Sequence, residues 1–385
     1  MGFSKGEFDL KHASGLYSRV MKKHLFLLAG LLALIGCSGP QYKPPDLSGY
    51  VWPRPPEKAR VKLEKVIYTD LDVRRIRSSD LLFGEDVGFG FWKPTGIAVD
   101  NNGNIYVSDT GRLKVFVLNL KNRSFAQLNN PNGWSLPGAL GVDDEDRLLA
   151  AANNNLVDIF DLDTKQYKFT IGAAGDFKRP AGFAFDPERK RLYIADSQGQ
   201  CVKAYTLDGK YISTIAGPGT KPGQVFFPLG LSLDKEGRLY VVDSMNWRVQ
   251  IFNPDGTLLK VFGEHGDAPG MFVRPKDIAV NKDGFLLVTD AAFGNFQVFD
   301  IKGNLYLYIG TPGKGFGQFT LPEGIAVGDD DKVYVADSMN SRIQIFQLLT
   351  DSDYKAMEAA KGATVANAAA GGAATAEKAQ PAGKK

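Results

Sequence analysis

Charged residues recur along this chain at matched places. Asp109, Asp196, Asp243, Asp290 and Asp337 each close a short run of branched and aromatic residues. Arg112, Arg248 and Arg342 follow shortly after three of them, and Lys93, Arg179 and Arg274 each stand immediately before a proline. Carboxylates and guanidiniums so placed can pair with one another, or face outward and bind a charged partner. A short acceptor repeated in register is expected to bond the backbone amides of the adjoining turn, so the five aspartates are assigned a structural role. Internal pairing with the same aspartates is the expected use of the arginines. Asn246, Trp247, Met339 and Asn340 are less regular, and irregular positions on a regular scaffold are where recognition surfaces are built. Lys93, Arg179, Arg274, Asn246, Trp247, Arg248, Asn340 and Arg342 are therefore the candidate partner-binding residues. Trp247 is the expected anchor, because exposed tryptophans dominate interface energetics.

Side chains for covalent or metal chemistry are scarce. His12 and His24 fall in a segment expected to be removed, which leaves His265, and one imidazole cannot build a zinc centre. Cys201 takes the slot that holds arginine in sister segments, within a strand-like run, which suits a buried inert thiol. No Cys-x-x-Cys-His haem signature occurs. Asp143-Asp-Glu-Asp146 and Asp329-Asp-Asp-Lys332 carry oxygen donors of the kind calcium takes, yet they read as solvated hairpin tips. No catalytic or metal-binding residue is assigned, and no cofactor is expected.

A repeat positions these residues. Pro94, Pro137, Pro180, Pro228, Pro275 and Pro322 follow one another at intervals of 43, 43, 48, 47 and 47 residues. Each opens a unit of four strand-like runs, which in the fourth copy are Leu229–Leu233, Arg238–Val242, Arg248–Phe252 and Leu258–Phe262. Asp234-Lys-Glu-Gly237 and Asn253-Pro-Asp-Gly256 separate them as hairpin turns. Such a meander is apolar on both faces and cannot stand alone. Six copies packed face to face round an axis predict an all-β, six-bladed β-propeller of four-stranded antiparallel blades. A linear stack would need polar end units, whereas Gly96-Ile-Ala-Val-Asp100 and Gly324-Ile-Ala-Val-Gly328 are as apolar as the middle copies. The sixth unit stops after its third run, Arg342–Phe346. Val61-Lys-Leu-Glu-Lys-Val-Ile-Tyr68, upstream of the first unit, is expected to complete the last blade and close the ring. Leu81-Leu-Phe-Gly84 is the second candidate.

In this meander the loop leaving the second strand and the loop entering the first lie on one face. The rule gathers the five aspartates, the three arginines and the pre-proline cations there. The longest loops, Gly263 to Pro275 and Gly310 to Pro322, approach the same face.

Pro-x-Gly-Ile-Ala-Val-Asp, Asn104-Ile-Tyr-Val-Ser-Asp109 and Asp337-Ser-Met-Asn-Ser-Arg-Ile-Gln-Ile-Phe346 resemble NHL repeats, over residues 91 to 347. The resemblance implies a six-bladed NHL propeller. The second copy departs furthest, with Ala152 at the aspartate position, and an irregular blade is expected there. Similar propellers include a lyase with a histidine-held zinc and calcium-dependent lactonases. The resemblance therefore leaves a calcium-dependent lyase or lactonase at the channel mouth, or a small-carbohydrate sensor, as the alternative.

The ends of the chain carry addresses. Met21-Lys-Lys-His24 precedes an apolar run, Leu25 to Ile35, of 11 residues, too short to span a bilayer and suited to a signal peptide. Leu34-Ile-Gly-Cys37 resembles a bacterial lipobox, which implies a lipid on Cys37, and Ser38 after it implies the outer membrane, periplasmic or surface-exposed. Glu7 and Asp9 are foreign to a signal head, so Met21 is the expected start. The expected organisation is a signal region over 1–36, a proline-rich tether over 37–60, the propeller over 61–350 and a disordered Ala/Gly/Lys-rich tail over 351–385. Lipidation of Cys37 leaves Cys201 without a disulfide partner. A net charge of +3 is too slight for nucleic acid. The expected function is a non-catalytic, lipid-anchored module that binds a protein partner or scaffolds in the cell envelope, beside assembly machinery or multihaem cytochromes. Its membrane contact would be the lipid alone.

Overall fold

Branched and aromatic runs bounded by glycine, asparagine and aspartate turns give every proline-led unit the same fold, an antiparallel meander. The computed structural model describes residues 45–74, 89–172 and 175–353. The signal region, Cys37 and the second closure candidate lie outside the described residues, as does the tail beyond residue 353. The first strands of blades 1 to 6 are Pro94–Val99, Pro137–Asp143, Pro180–Asp186, Pro228–Leu233, Pro275–Val280 and Pro322–Val327. Each touches the first strand of the next blade, and the sixth returns to the first. The ring is closed and these strands line its axis. Blades 1, 2, 4 and 5 have four strands each. Blade 3 gains Gln224–Val225, laid parallel on the end of its outer strand Tyr211–Pro218.

Blade 6 draws its outer strands from upstream of blade 1. Val61–Ile67 pairs antiparallel with Arg342–Leu348, and Val51–Trp52 pairs outside it. This is the closure expected of Val61 to Tyr68.

Burial lies between blades rather than within them. Blades 5 and 6, for example, share one cluster in which Leu287, Phe296, Phe319, Val335 and Phe346 are wholly enclosed. Burial of one such side chain stabilises by about 1.5–3 kcal/mol. The Phe296 and Phe346 rings meet edge to face at 5.4 Å.

The Pro-x-Gly motif makes the close inner packing possible. Pairing of the first and second strands shifts register just after the leading proline in every blade, for instance between Pro94 and Ile97, which is a β-bulge. A Cβ on Gly182 would sit 2.1 Å from the Leu229 carbonyl oxygen of the next blade. Glycine is the residue that lets the two backbones approach.

Candidate functional site

The second strands end beside the mouth of the axial channel, where the repeated aspartates turn inward. Asp109 accepts from the N–H groups of Trp92 (2.7 Å) and Lys93 (3.0 Å), and from those of Gly111 and Arg112. Asp196 accepts from Lys178, Arg179 and Gly199, and Asp290 from Val273, Arg274, Ala292 and Phe293. Asp243 accepts from the Phe226 N–H at 2.7 Å and Asp337 from the Thr320 N–H at 2.8 Å. All five are buried. They pin the loop that enters each blade to the corner that leaves its second strand.

Blade 2 is regular, contrary to expectation, because its corner residue is Asn153 and not Ala152. Asn153 stands opposite Pro137, as Asp109 stands opposite Pro94. Its Oδ1 accepts from the Ser135 and Leu136 N–H groups.

The irregular residues divide. Arg342 is buried and is not available to a partner. Its Nε donates to Asp337 at 2.6 Å, and its other nitrogens reach the carbonyls of Lys314, Gly315 and Gln318. Arg248, partly exposed, donates to Asp243 at 2.8 Å and to the carbonyls of Lys221 and Gln224. Asn246 and Asn340 donate to the same aspartates and to the Gly219 and Gly313 carbonyls. Arg112 behaves differently, donating to the Gly90 carbonyl and lying over the Phe89 ring. Trp247 is not the exposed anchor expected. It is half-buried in the cluster between blades 4 and 5, 4.7 Å from the His265 ring. Cys201 is buried and desolvation raises its thiol pKa, which leaves it protonated.

The exposed tryptophan is Trp92, at 65%. It rests on Gly111, where a Cβ would meet the ring at 2.9 Å. Met245 (45%) and Met339 (54%) stand out from the turns after Asp243 and Asp337. Lys93, Arg179 and Arg274, from alternate blades, are exposed. Leu136, Phe227 and Leu321 occupy the pre-proline place between them.

Inside this rim lies a cavity of about 310 Å³ to which all six blades contribute. Thr95, Lys276 and Glu323 line it from blades 1, 5 and 6, Gly138, Ala181 and Leu229 from blades 2, 3 and 4, and Arg179 and Ser197 add polar groups from blade 3. Lys276 Nζ is 3.9 Å from Glu323 Oε1. Beside them sits Asp277, in the slot where the repeat places Gly96, Gly182, Gly230 and Gly324. Its Oδ2 accepts from the Ile325 N–H of blade 6 at 3.0 Å and its Oδ1 from the Ile278 N–H at 2.9 Å. A Cβ on Gly230 would lie 2.3 Å from Asp277 Oδ1, so the neighbouring glycine makes room for the carboxyl. The interruption of the glycine pattern was the available sequence signal for Asp277.

Asp277 is half-buried, with part of it lining the channel. Desolvation pushes its carboxyl up to about 7, the nearby Glu323 charge adds to the rise, and the two amides oppose it. The folded state therefore favours the protonated acid relative to the unfolded chain. The stability this residue contributes is complete in acid and is lost as pH rises through about 7. Asp277→Asn cannot ionise, so between about pH 5 and pH 8 its Tm is expected to fall less than that of the wild type. Parallel Tm–pH curves for the two proteins would reject this account.

A calcium ion would require several converging oxygen ligands. The mouth offers Glu323, which faces an ammonium, and Asp277, whose two oxygens already accept from amides. These residues do not fit such an ion. Among the described residues, no group of three or more His, Cys, Asp or Glu is placed to hold a metal.

Known proteins share this architecture. The NHL repeat model matches residues 91–118 and 319–346, and the SMP-30/Gluconolactonase/LRE-like region model matches residues 151–263. No curated protein sequence matches the chain. A structural genomics protein of unknown function from Bacteroides thetaiotaomicron superposes with a TM-score of 0.58 at 14% identity, covering 75% of each chain. A streptogramin B lyase gives 0.51 at 14% identity, over 67% of this chain and 94% of its own. A chain of a nidogen/laminin complex gives 0.51 at 19% identity, over 63% and 84%. At these identities the likeness is one of fold. The chain is thus a six-bladed β-propeller that carries NHL repeats and an SMP-30/gluconolactonase-like region.

Proposed function

We propose that this propeller is a non-catalytic recognition module of the cell envelope, held by a lipid on Cys37, whose channel-mouth face binds an acidic protein partner. The observation that carries this reading is the make-up of the mouth-face rim. On the mouth face the corner carboxylates are buried against amides. The side chains of Lys93, Arg179 and Arg274 have no ion pair among the described residues, and Trp92, Met245 and Met339 project beside them. Exposed aromatic and methionine side chains within a cationic rim supply both the apolar anchor and the steering field of an interface.

The test is a triple charge reversal, Lys93→Glu, Arg179→Glu and Arg274→Glu, with crosslinking in the native envelope. Loss of the crosslinked partner at an unchanged Tm is the expected result, since these side chains support no contact in the ring. Undiminished capture would dismiss the surface.

A lyase or lactonase reading has one observation in its favour, the Asp277 carboxyl that titrates near neutrality beside Lys276 and Glu323. Melting the purified protein with and without a chelator separates it from the binding reading, because a calcium-dependent propeller should lose stability with its ion.

A further inference from the structure

Blades 4, 5 and 6 follow one another at 47-residue spacing, so positions 248, 295 and 342 are equivalent. The registers agree: Asp243 stands opposite Arg248, Asp290 opposite Asn295, and Asp337 opposite Arg342. In blades 4 and 6 the arginine reaches beneath the loop that enters its own blade. Arg248 Nη2 donates to the carbonyls of Lys221 (2.8 Å) and Gln224 (2.9 Å), and Arg342 Nη2 to those of Gly315 (2.7 Å) and Gln318 (2.8 Å). A guanidinium bridges two loop carbonyls in each case.

The loop entering blade 5 is built the same way. Gln297 Oε1 accepts from the Gly270 N–H at 2.8 Å and its Nε2 donates to the Met271 carbonyl at 2.9 Å. Gln250 makes the same pair with Gly223 and Gln224, and Gln344 with Gly317 and Gln318. The arginine alone is missing. Asn295 is too short to reach the carbonyls, and a cavity of about 200 Å³ opens there, lined by Asp267, Ala268, Phe293, Asn295 and Gln297 among others. Ala268 and Met271 are the counterparts of the residues whose carbonyls hold the guanidinium in the sister blades. Asn295 Oδ1 is buried and has no hydrogen-bond partner. Behind it the buried Asp290 carboxylate accepts only backbone N–H groups, whereas Asp243 and Asp337 each face a cation.

We propose that this cavity is a guanidinium slot, which takes an arginine side chain or a free alkylguanidine from outside the chain. The Ala268 and Met271 carbonyls would receive the planar fork and Asn295 Oδ1 a further N–H, with the Asp290 charge favouring a cation. A planar fork with five donors fits two carbonyls better than a compact ammonium does. The inference is independent of the mouth-face reading, since it uses none of the exposed rim side chains on which that reading rests.

Calorimetry on the full-length protein tests it with three probes: N-propylguanidine, acetyl-arginine methylamide and acetyl-lysine methylamide. Saturable binding of a guanidinium probe is expected, with the lysine probe weaker by about tenfold or more. Binding of both guanidinium probes assigns the slot to an arginine side chain, and binding of N-propylguanidine alone assigns it to a free alkylguanidine. Asn295→Arg should supply the missing guanidinium from within, raise the Tm and abolish probe binding. Asn295→Met, which fills the space without charge, should also abolish it. Absence of saturable binding in the wild type, or binding that survives in either folded variant, would overturn the proposal.

Discussion

A chain that begins at residue 69 is expected to lose cooperative unfolding and to become protease-sensitive across all six blades. The strand it lacks, Val61–Ile67, is the outer partner of Arg342–Leu348. Val61, Leu63, Val66 and Ile67 are buried in that strand, and together they contribute about 6–12 kcal/mol of apolar burial. A whole domain retains only about 5–15 kcal/mol of net stability, so this single strand weighs as much as the margin by which the ring folds. The truncation also removes Tyr50 and Trp52, whose rings pack on Phe316 and Phe346. Blade 6 would expose an unpaired strand and an apolar face, and blades 1 and 5 would lose the neighbour on which their own faces close. Damage therefore spreads round the ring, because every core is shared between two blades. Limited proteolysis and urea melts measure it, and a synthetic peptide of residues 45–68 should restore protection. A cooperative, protease-resistant truncated ring would overturn the closure mechanism.

The closure was legible because it is arithmetic. Six units of one plan require a last outer strand, the sixth unit stops short, and of the two upstream candidates Val61 to Tyr68 is the longer strand-like run. The recognition residues were harder to read. Both Trp92 and Trp247 stand in loops on the same face, and nothing in their local sequence says which is covered. Trp247 has φ 52°, a left-handed conformation within its turn, and packs into the cluster between blades 4 and 5. Trp92 rests against Gly111 and stays exposed to water. The difference is made by the neighbouring chain, which periodicity does not report. Elsewhere the departures from the repeat carried the information: Asp277 at a glycine place, Asn295 at an arginine place, Asn153 one residue beyond the place an aspartate was sought. Regularity specifies the scaffold; Asn153 keeps the role of its sister positions, whereas Asp277 and Asn295 depart from theirs.

Arg342 marks how much a regular position can carry. Its guanidinium satisfies Asp337, three loop carbonyls and the Tyr68 hydroxyl at 2.9 Å, so it joins the last corner, the loop entering blade 6 and the residue that follows the closing strand. Arg342→Ala would leave the Asp337 charge buried without its cation and strip several carbonyls of a donor. Removal of one partner from a buried pair costs about 3–5 kcal/mol, a large part of the stability of a domain. Arg248→Ala should cost less, since Arg248 is more exposed, bonds two loop carbonyls and has no contact with the closing strand. The pH dependence distinguishes a lost charge pair from lost packing. Desolvation already raises the Asp337 pKa in the intact protein, against the opposing bonds from Asn340, Thr320 and Arg342. Without the arginine it rises further, so the variant's folded state takes up a proton more readily than its unfolded state. Its deficit relative to the wild type should be largest above that raised pKa and shrink as the solution is acidified. Denaturant melts of both variants over a pH series provide the check: a deficit that does not change with pH would show that Arg342 acts by filling space rather than by neutralising Asp337.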